Sequence, residues 1–362
     1  MNFQTEICYN IESKTWNKTL LSNKTSTAYQ HSDFFHPYHL AFDSKPLFIT
    51  VSNSTGKIVG QLSGVIHLTD YWLETNVFSR LLNSTLGLGT TLNWFYGPII
   101  HDSENSDTIL SNILSAVDKI AIKNNVNLVS GSSPPQSNLS MNIFKKNNYI
   151  IKPWITYITN TDRNADDIYN ALHKKTRYDV RKGENARLEF EVVSQKELYK
   201  LYVDIKYSNK KKIRKINKLY KNFVEHTWNT SYANGIEKMF LARFKGKPIA
   251  AIICVLYNGN VVQVGVANSS RGNQYAGSFL TWNTIRWSSE NNYRTFDVGG
   301  ANPIPESKKE ERINLFKSKW DSEKIDYFLC TKVFNKTKLY IHNIIKRPQT
   351  IKHKIYKKII HD

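Results

Sequence analysis

The chain has 362 residues, of which 50 are Lys or Arg and 30 are Asp or Glu, and 40% are hydrophobic. This length predicts about two domains of ordinary size, and the apolar fraction excludes a wholly disordered chain. The three cysteines, Cys8, Cys254 and Cys330, lie far apart, which excludes a disulfide scaffold and a cysteine metal cluster and favours a reducing compartment.

The net charge of +20 is concentrated in two segments. Residues 171–221 hold 16 Lys and Arg against 6 Asp and Glu, and residues 332–362 hold 9 against 1. A localised excess of this kind favours a polyanionic partner: RNA, a nucleotide-linked substrate or an anionic membrane face. Solvated helix faces in a lysine-rich protein are the alternative explanation.

No segment predicts export or a membrane span. The first 30 residues include Glu6, Glu12 and Lys14 and no continuous apolar stretch, so we expect no signal peptide. The longest apolar stretch, 249–257, is about half of the ~20 residues that a spanning helix requires, and it predicts a buried strand. We expect a cytoplasmic protein. For the basic tail after Val333, packing back onto the body is favoured, and peripheral contact with the inner membrane face is the alternative.

The first half of the chain predicts an alternating pattern of strands and helices. Apolar residues at helical spacing indicate a helix with Ser106 as its N-cap, and β-rich runs bounded by turn residues indicate strands. The predicted elements are strands at 47–51 and 57–68, a helix from Ser106 to about 120, a strand at 126–129, a helix ending near Lys146, and a strand at 149–158.

The second half predicts the same scheme, with a basic helix after Val333. The other predicted elements are helices at 166–182 and 195–228 around a strand at 188–193, strands at 239–244, 248–257 and 261–267, a helix at 276–290, and a strand at 295–298. Segments 56–66 (GKIVGQLSGVI) and 246–256 (GKPIAAIICVL) occupy equivalent places in the two halves, which implies two copies of one domain. The predicted domains are 1–158, with helix 334–362 as an added element, and 159–333.

Familiar catalytic signatures are mostly missing: the chain has no Walker loop, no Gly-x-Ser-x-Gly elbow and no His-Glu-x-x-His. The spacing of His31, His36 and His39 is compatible with a metal, but no carboxylate or cysteine cluster accompanies them. Packing or substrate contact is therefore favoured for these histidines, and no metal site is predicted.

Three segments are better candidates for binding or chemistry. In segment 174–183, Arg177 and Arg181 are four residues apart, so on a helix they share a face that is suited to clamping a phosphate. Segment 270–278 is a glycine-containing loop between a strand and a helix, where backbone N–H groups can hold an anion. The alternatives are a solvated helix face for the first segment and a tight turn for the second.

The third segment begins where a predicted strand ends. Residues 296–302 (FDVGGAN) combine an aspartate with two glycines, and residues 315–320 (LFKSKW) follow with an aromatic–lysine pair. Ligands bind at the carboxyl ends of strands in α/β sheets, so this segment is a candidate site.

Together these segments resemble the Fem family, the FemA/FemB/FemX peptidoglycan-bridge aminoacyltransferases and their relatives with duplicated GNAT-type acyltransferase domains. Segment 94–100 (WFYGPII) is also similar to a segment of the family's first domain. The family's middle motif, approximately Lys-x-x-Arg-x-x-Ile-Arg-Lys, is matched by Lys174, Arg177, Val180, Arg181 and Lys182. Its distal motif is matched by Phe296, Asp297, Gly299, Gly300, Phe316 and Lys317.

The resemblance implies an α/β fold of two tandem GNAT-like domains, each with a mixed sheet flanked by helices. It implies transfer of an aminoacyl or acyl group to an amino group of a cell-envelope precursor or a related acceptor, with the site in the second domain. The implied catalytic residues are Lys317, Phe316 and Asp297. Lys317 would stabilise an oxyanion or bind the end of the donor, and Phe316 would stack beside it. Asp297 would orient the amine, accept its proton or only cap the loop. The implied substrate-binding residues are Arg177, Arg181, Lys174, Arg271, Tyr275, Gly299 and Gly300.

Two departures from the family leave the substrates open. Segment 30–37 lacks the lysine of the family's early motif, and no coiled-coil arm is evident, so the acceptor is not restricted to a peptidoglycan precursor. Gln274 stands where a coenzyme A loop has its first glycine, so the donor is either aminoacyl-tRNA or acyl-CoA. No tightly bound cofactor is expected. The expected partners are tRNA and a phosphate-bearing small-molecule or lipid-linked acceptor.

Two alternative functions follow from the same residues. The first is an acyl-CoA-dependent N-acyltransferase that acts on an amino sugar or a peptide. The second is a non-catalytic RNA-binding protein that uses Lys210, Lys211 and Lys212. This second function gives no role to the Asp-x-Gly-Gly and Phe-Lys residues.

Overall fold

The computed structural model describes residues 2–68, 85–207, 218–269 and 273–346. The strands are β1 (Gln4–Cys8), β2 (Lys45–Ser52), β3 (Ile58–Leu68), β4 (Thr90–Asn93), β5 (Ile99–Ile100), β6 (Leu128–Ser132), β7 (Ile150–Asn160), β8 (Glu189–Val192), β9 (Glu237–Phe244), β10 (Lys247–Tyr257), β11 (Asn260–Asn268), β12 (Thr295–Asp297) and β13 (Ser322–Val333).

The α-helices are α1 (Ser13–Leu21), α2 (His36–Phe42), α3 (Ser106–Lys123), α4 (Met141–Lys146), α5 (Ala165–Ala171), α6 (Lys174–Asn185), α7 (Lys196–Tyr207), α8 (Lys218–Thr227), α9 (Ala276–Glu290), α10 (Lys308–Lys317) and α11 (Lys336–Lys346). A short 3₁₀ helix spans Ala28–Gln30, and a π-helical turn spans Trp228–Tyr232.

The strands form one mixed sheet in the order β1-β2-β3-β4-β6-β13-β7-β12-β11-β10-β9-β8, with β5 paired to β3. Strand β13 lies between β6 and β7 and pairs antiparallel with both. The sheet is therefore continuous across the predicted domain boundary at residue 158. That boundary stays a prediction.

The repeated segments occupy corresponding positions in the sheet. Strand β3 pairs antiparallel with β2 and β4, and β10 pairs antiparallel with β9 and β11. Each of these strands is followed later in the chain by a long helix, α3 or α9, that packs on the sheet. The pattern predicted from the short repeat is thus present in both halves.

Three sequence predictions need correction. The helix predicted over 166–182 is two helices, because His173 caps a new one by accepting from the N–H of Lys175. Helix α3 has Asn105 at its N-cap, so Ser106 is its first residue rather than its cap. Strand β13 was not predicted at all. The lysine patch 210–215, Arg271 and the tail beyond 346 lie outside the described residues.

Two large apolar cores cover the sheet, one for each half. The first packs α3 against β2, β3 and β6, and the second packs α6 and α9 against β9, β10 and β12. Helix α6 approaches α9 so closely that a Cβ at Gly183 would lie 2.7 Å from the Cβ of Phe279. Glycine at this position therefore allows the two helices to touch.

Helix α9 is buried around most of its circumference although it carries polar residues. Three of its hydroxyl groups donate to the carbonyl oxygen four residues earlier: Thr281 to Gly277 at 2.9 Å, and Thr284 and Ser288 at 2.8 Å. Such bonds satisfy hydroxyl groups that would otherwise be costly to bury. None of the helices in the described part of the chain has the length and apolar character that a membrane span needs.

Candidate functional site

The sheet opens where β12 ends. Strand β12 runs parallel to β11 only over Asn260–Val262, and it stops at Asp297 while β11 continues to Asn268. A cavity of about 950 Å³ lies beside this opening, lined by residues of both halves of the chain. Its walls include Gln263 to Val266 from β11, with residues of β6, β13, α9 and α10.

Helix α10 forms one wall of this central cavity. Lys309, Arg312, Ile313, Phe316 and Lys317 line it, and their spacing of three or four residues places them on one face of the helix. Ser307 caps the helix by accepting from the N–H of Glu310. The Phe-Lys pair predicted from the sequence thus lies at the last turn of α10 and borders the cavity.

Lys317 is fixed by the two glycines of the same motif. Its Nζ donates to the carbonyl oxygen of Gly299 at 2.9 Å and to that of Gly300 at 2.7 Å. Burial lowers the pKa of this ammonium group, and the nearby Asp297 carboxylate opposes that shift. The lysine is therefore a half-buried cation held against the backbone.

Asp297 lies beneath the cavity wall and is 3% exposed. Its carboxylate accepts from the Tyr96 hydroxyl at 3.0 Å, from the Gly299 N–H at 2.7 Å and from the Thr156 hydroxyl. Burial raises its pKa, while these hydrogen bonds and the charge of Lys317 oppose the rise. Asp297 thus connects β12, β7 and the segment around Tyr96, but it does not itself line the cavity.

The two glycines are required by geometry. Gly299 has φ +88°, a left-handed conformation that residues with a side chain rarely adopt. A Cβ at Gly300 would overlap the Tyr327 hydroxyl and would lie 2.7 Å from Nε1 of Trp154. The Asp-x-Gly-Gly motif therefore supplies the two backbone carbonyls that hold Lys317 and leaves room for two aromatic side chains beside Gly300.

Tyr96 and Tyr327 were missed as site residues. Both line the cavity, and their rings meet edge to face at 5.5 Å. Tyr96 has φ +43°, which is uncommon for a residue with a side chain. Tyr96 lies within WFYGPII, the segment that resembles the Fem family, so that segment was the available signal. Tyr327 lies on the unpredicted β13.

The predicted phosphate clamp is not at the cavity. The Arg177 guanidinium donates to the carbonyl oxygens of Asn170 and Leu172, so it closes the turn between α5 and α6. Arg181 and Lys174 are exposed on α6, and none of the three lines the cavity. Their role in substrate binding stays a prediction.

Tyr275 precedes α9 at the end of the loop predicted to bind an anion. Its backbone N–H donates to Oδ1 of Asn273 at 2.8 Å, and its side chain is not part of the cavity lining. Gly277 of the same segment does line the cavity. Arg271 lies outside the described residues, so the anion-binding role of this loop stays a prediction.

The histidine cluster lies elsewhere. His31 is buried and meets the ring of Tyr257 edge to face at 5.0 Å, and burial lowers its pKa. His36 and His39 line a second, more polar cavity of about 890 Å³ together with Asp33. His31 therefore packs in the protein, and the other two border a surface cavity.

The chain is similar to known proteins in sequence over one segment and in structure over most of its length. Residues 171–308 match the model of an acetyltransferase (GNAT) domain. The structure is similar to that of FemX, with a TM-score of 0.68 and 11% sequence identity over 94% of this chain and 99% of that chain. No curated protein matches the chain in sequence.

Two further structures share the fold. A tandem GNAT protein from the clavulanic acid biosynthesis pathway has a TM-score of 0.55 and 11% identity over 92% of this chain and 98% of that chain. L-PGS from Bacillus licheniformis has a TM-score of 0.51 and 13% identity over 92% and 96%. The predicted fold class, tandem GNAT-like α/β, is confirmed, and so is the prediction of a GNAT-type acyltransferase. The chain has the fold of FemX, and its residues 171–308 match the GNAT domain model.

Proposed function

We propose that this protein transfers an aminoacyl or acyl group to an amino group of a cell-envelope precursor, and that transfer takes place in the central cavity beside Lys317. The observation that carries this proposal is the bonding of the Lys317 ammonium group. It has three N–H donors, and two of them are used by the carbonyl oxygens of Gly299 and Gly300. Among the described residues none accepts the third, which leaves it for a developing oxyanion.

The reaction has a simple balance of bonds. The amine nitrogen bonds to the carbonyl carbon of the donor, and the carbonyl oxygen becomes an oxyanion. Collapse of this intermediate breaks the C–O bond of an ester or the C–S bond of a thioester, and the amine's proton passes to the leaving oxygen or sulfur. A fixed donor at the oxyanion is typically worth about 2.7–4 kcal/mol. Lys317 supplies that donor, and Phe316 supplies an apolar wall beside it.

Two other groups support this chemistry. Asp297 acts through its partners, because its bond to the Gly299 N–H orients the backbone that holds Lys317. Burial raises the pKa of the Tyr327 hydroxyl, so the group keeps its proton at neutral pH. Placed over Gly300, this hydroxyl can donate a hydrogen bond to the reacting groups while it keeps its proton.

The donor is aminoacyl-tRNA in this proposal, as the Fem-like motifs favour. Acyl-CoA is the second candidate, because the GNAT domain model describes acetyltransferases. Both donors are cytoplasmic, so we place the reaction in the cytoplasm, with the acceptor free or held at the inner membrane face. The basic segments would attract a phosphate-bearing acceptor or tRNA.

A transfer assay with the full chain tests the proposal. Radiolabelled aminoacyl-tRNA and acetyl-CoA are offered in parallel to a nucleotide-linked muropeptide and to a free amino sugar. Lys317→Met should lower transfer by roughly 100-fold. Lys308→Met removes the same charge at an exposed position of the same helix, outside the cavity lining, and should leave transfer unchanged.

Two results would count against the proposal. Unchanged transfer in Lys317→Met would remove the role assigned to this lysine. Wild-type protein that transfers neither label but still binds RNA would favour the non-catalytic alternative.

A further inference from the structure

We propose that Lys309 and Arg312 of α10 form a diphosphate-binding subsite at the mouth of the central cavity. Both residues line the cavity and are also exposed to solvent, which places them at its opening. The proposal rests on the proposed function, because it names the anionic part of a substrate used at the same site.

The charge of the cavity lining is the first observation. The charged side chains among the described lining residues are Lys309, Arg312 and Lys317, and there is no Asp or Glu among them. The second cavity differs, since Asp33 lines it together with Lys45 and Lys123. A concave site lined by positive charges alone has a positive electrostatic potential, which attracts an anionic ligand.

The carboxylates closest in the chain do not neutralise these cations. Glu310 points to the loop before α10, where it accepts from the Asn302 side chain at 3.2 Å and from the Glu306 N–H at 2.9 Å. Among the ion pairs of the described residues, none includes Lys309 or Arg312. Both cations are therefore available to a ligand.

The spacing of the cations fits a ligand with two functional ends. Lys309 and Arg312 precede Lys317 by eight and five residues, a rise of roughly 8–12 Å along an α-helix. A substrate whose reacting carbonyl or amine lies at Lys317 can thus place a charged group at the cavity mouth. Arg312 offers a planar fork and Lys309 a point charge, a combination suited to adjacent phosphoryl groups.

Coenzyme A and a nucleotide-linked acceptor both carry such a diphosphate. The subsite is therefore assigned by chemistry, and the experiment decides between donor and acceptor. It also differs from the Arg177 and Arg181 clamp predicted from the sequence, because neither of those residues lines the cavity.

Calorimetric titration of the full chain with inorganic pyrophosphate at low salt tests the subsite. Wild-type protein should bind, and the double variant Lys309→Gln/Arg312→Gln should bind at least about tenfold more weakly. Lys308→Gln removes one exposed charge outside the cavity lining, and should change the affinity by less than about twofold. Equal binding by wild type and double variant would overturn the proposal, and so would an absence of pyrophosphate binding by wild type.

Parallel titrations with coenzyme A and uridine diphosphate identify the source of the diphosphate. Loss of coenzyme A binding alone in the double variant assigns the subsite to the donor, and loss of uridine diphosphate binding alone assigns it to the acceptor. The proposed function can fail separately. If wild-type protein transfers no acyl group but binds pyrophosphate, and the double variant binds it more weakly, the subsite stands and the transfer reaction does not.

Discussion

The hydroxyl of Tyr96 donates a hydrogen bond of 3.0 Å to Oδ2 of Asp297, a residue 201 positions later in the chain. Tyr96 lies in the segment after β4 and Asp297 ends β12, so this bond joins the two halves of the molecule beneath the central cavity. Both groups are buried. Because the acceptor is a carboxylate, the bond ties the conformation at Tyr96 to the position of the Asp-x-Gly-Gly segment.

Tyr96→Phe should destabilise the protein. The substitution removes one donor from a buried carboxylate, and hydrogen bonds to charged groups are worth about 1.5–3 kcal/mol. The free energy of unfolding, measured by urea denaturation, should fall by that order. Tyr178→Phe removes a hydroxyl from a side chain that is 50% exposed and should change little. Equal stability of Tyr96→Phe and wild type would show that this bond contributes nothing.

Activity should decline at alkaline pH because of Lys317. Burial lowers the pKa of this group below its ordinary value of 10.5, so the cation is lost earlier than for an exposed lysine. The pH profile of transfer should therefore have an alkaline limb with a midpoint below 10.5. Two acceptors whose amines have different pKa values should shift the acid limb and leave the alkaline limb in place. An alkaline limb that moves with the acceptor would assign it to the substrate.

Gly300→Ala should damage the site. The added Cβ would overlap the Tyr327 hydroxyl and crowd Trp154, and overpacking of this kind typically costs about 1–3 kcal/mol. Thermal unfolding should begin at a lower temperature, and transfer should fall because the Gly300 carbonyl holds Lys317. Gly277→Ala is the control for stability alone, since the nearest atoms to its Cβ lie 3.8 Å away. Wild-type stability and activity in Gly300→Ala would contradict this geometry.

Glu237 should make stability depend on pH. Burial raises its pKa from 4.5 to about 7, although the Tyr199 hydroxyl donates to it. The folded state therefore holds this proton more tightly than the unfolded state. The resulting stability is complete below pH 4.5 and is lost as pH rises through about 7, a change of roughly 3 kcal/mol at 1.36 kcal/mol per pKa unit.

Glu237→Gln keeps an acceptor for Tyr199 but cannot ionise. Its melting temperature should exceed that of wild type at pH 8 and should differ little at pH 4.5, close to the ordinary pKa of the group. Glu311→Gln changes an exposed carboxylate and serves as the control. A wild-type advantage at pH 8 would mean that the ionised Glu237 is stabilised in the folded protein.

Elements with a strong local pattern were predicted well. Helix α9 begins and ends as predicted, at Ala276 and Glu290, because its apolar residues recur at helical spacing and Asn291 follows its last residue. The meander β9–β10–β11 was predicted to within two residues at each strand end, since short turns at Lys245–Gly246 and Asn258–Gly259 separate its apolar runs.

Strand β13 shows where this pattern fails. Its sequence, SEKIDYFLCTKV, has charged residues along its first half and only two buried side chains, Phe328 and Cys330. Local propensity therefore does not distinguish it from a loop. Its backbone pairs with two strands that precede it in the chain by more than 150 residues, and this long-range pairing decides the structure.

The sequence by itself determined the α/β class, the repeat, and the part of the site that is local in the chain: Asp297, Gly299, Gly300, Phe316 and Lys317 belong to neighbouring motifs. Only the tertiary structure decided that Tyr96, Tyr327 and the α10 cations border the same cavity, and that Arg177 closes a turn. The physical reason is that the residue types and their spacing determine which side chains can ionise or form hydrogen bonds. Which groups share one cavity depends on sheet pairing between distant segments.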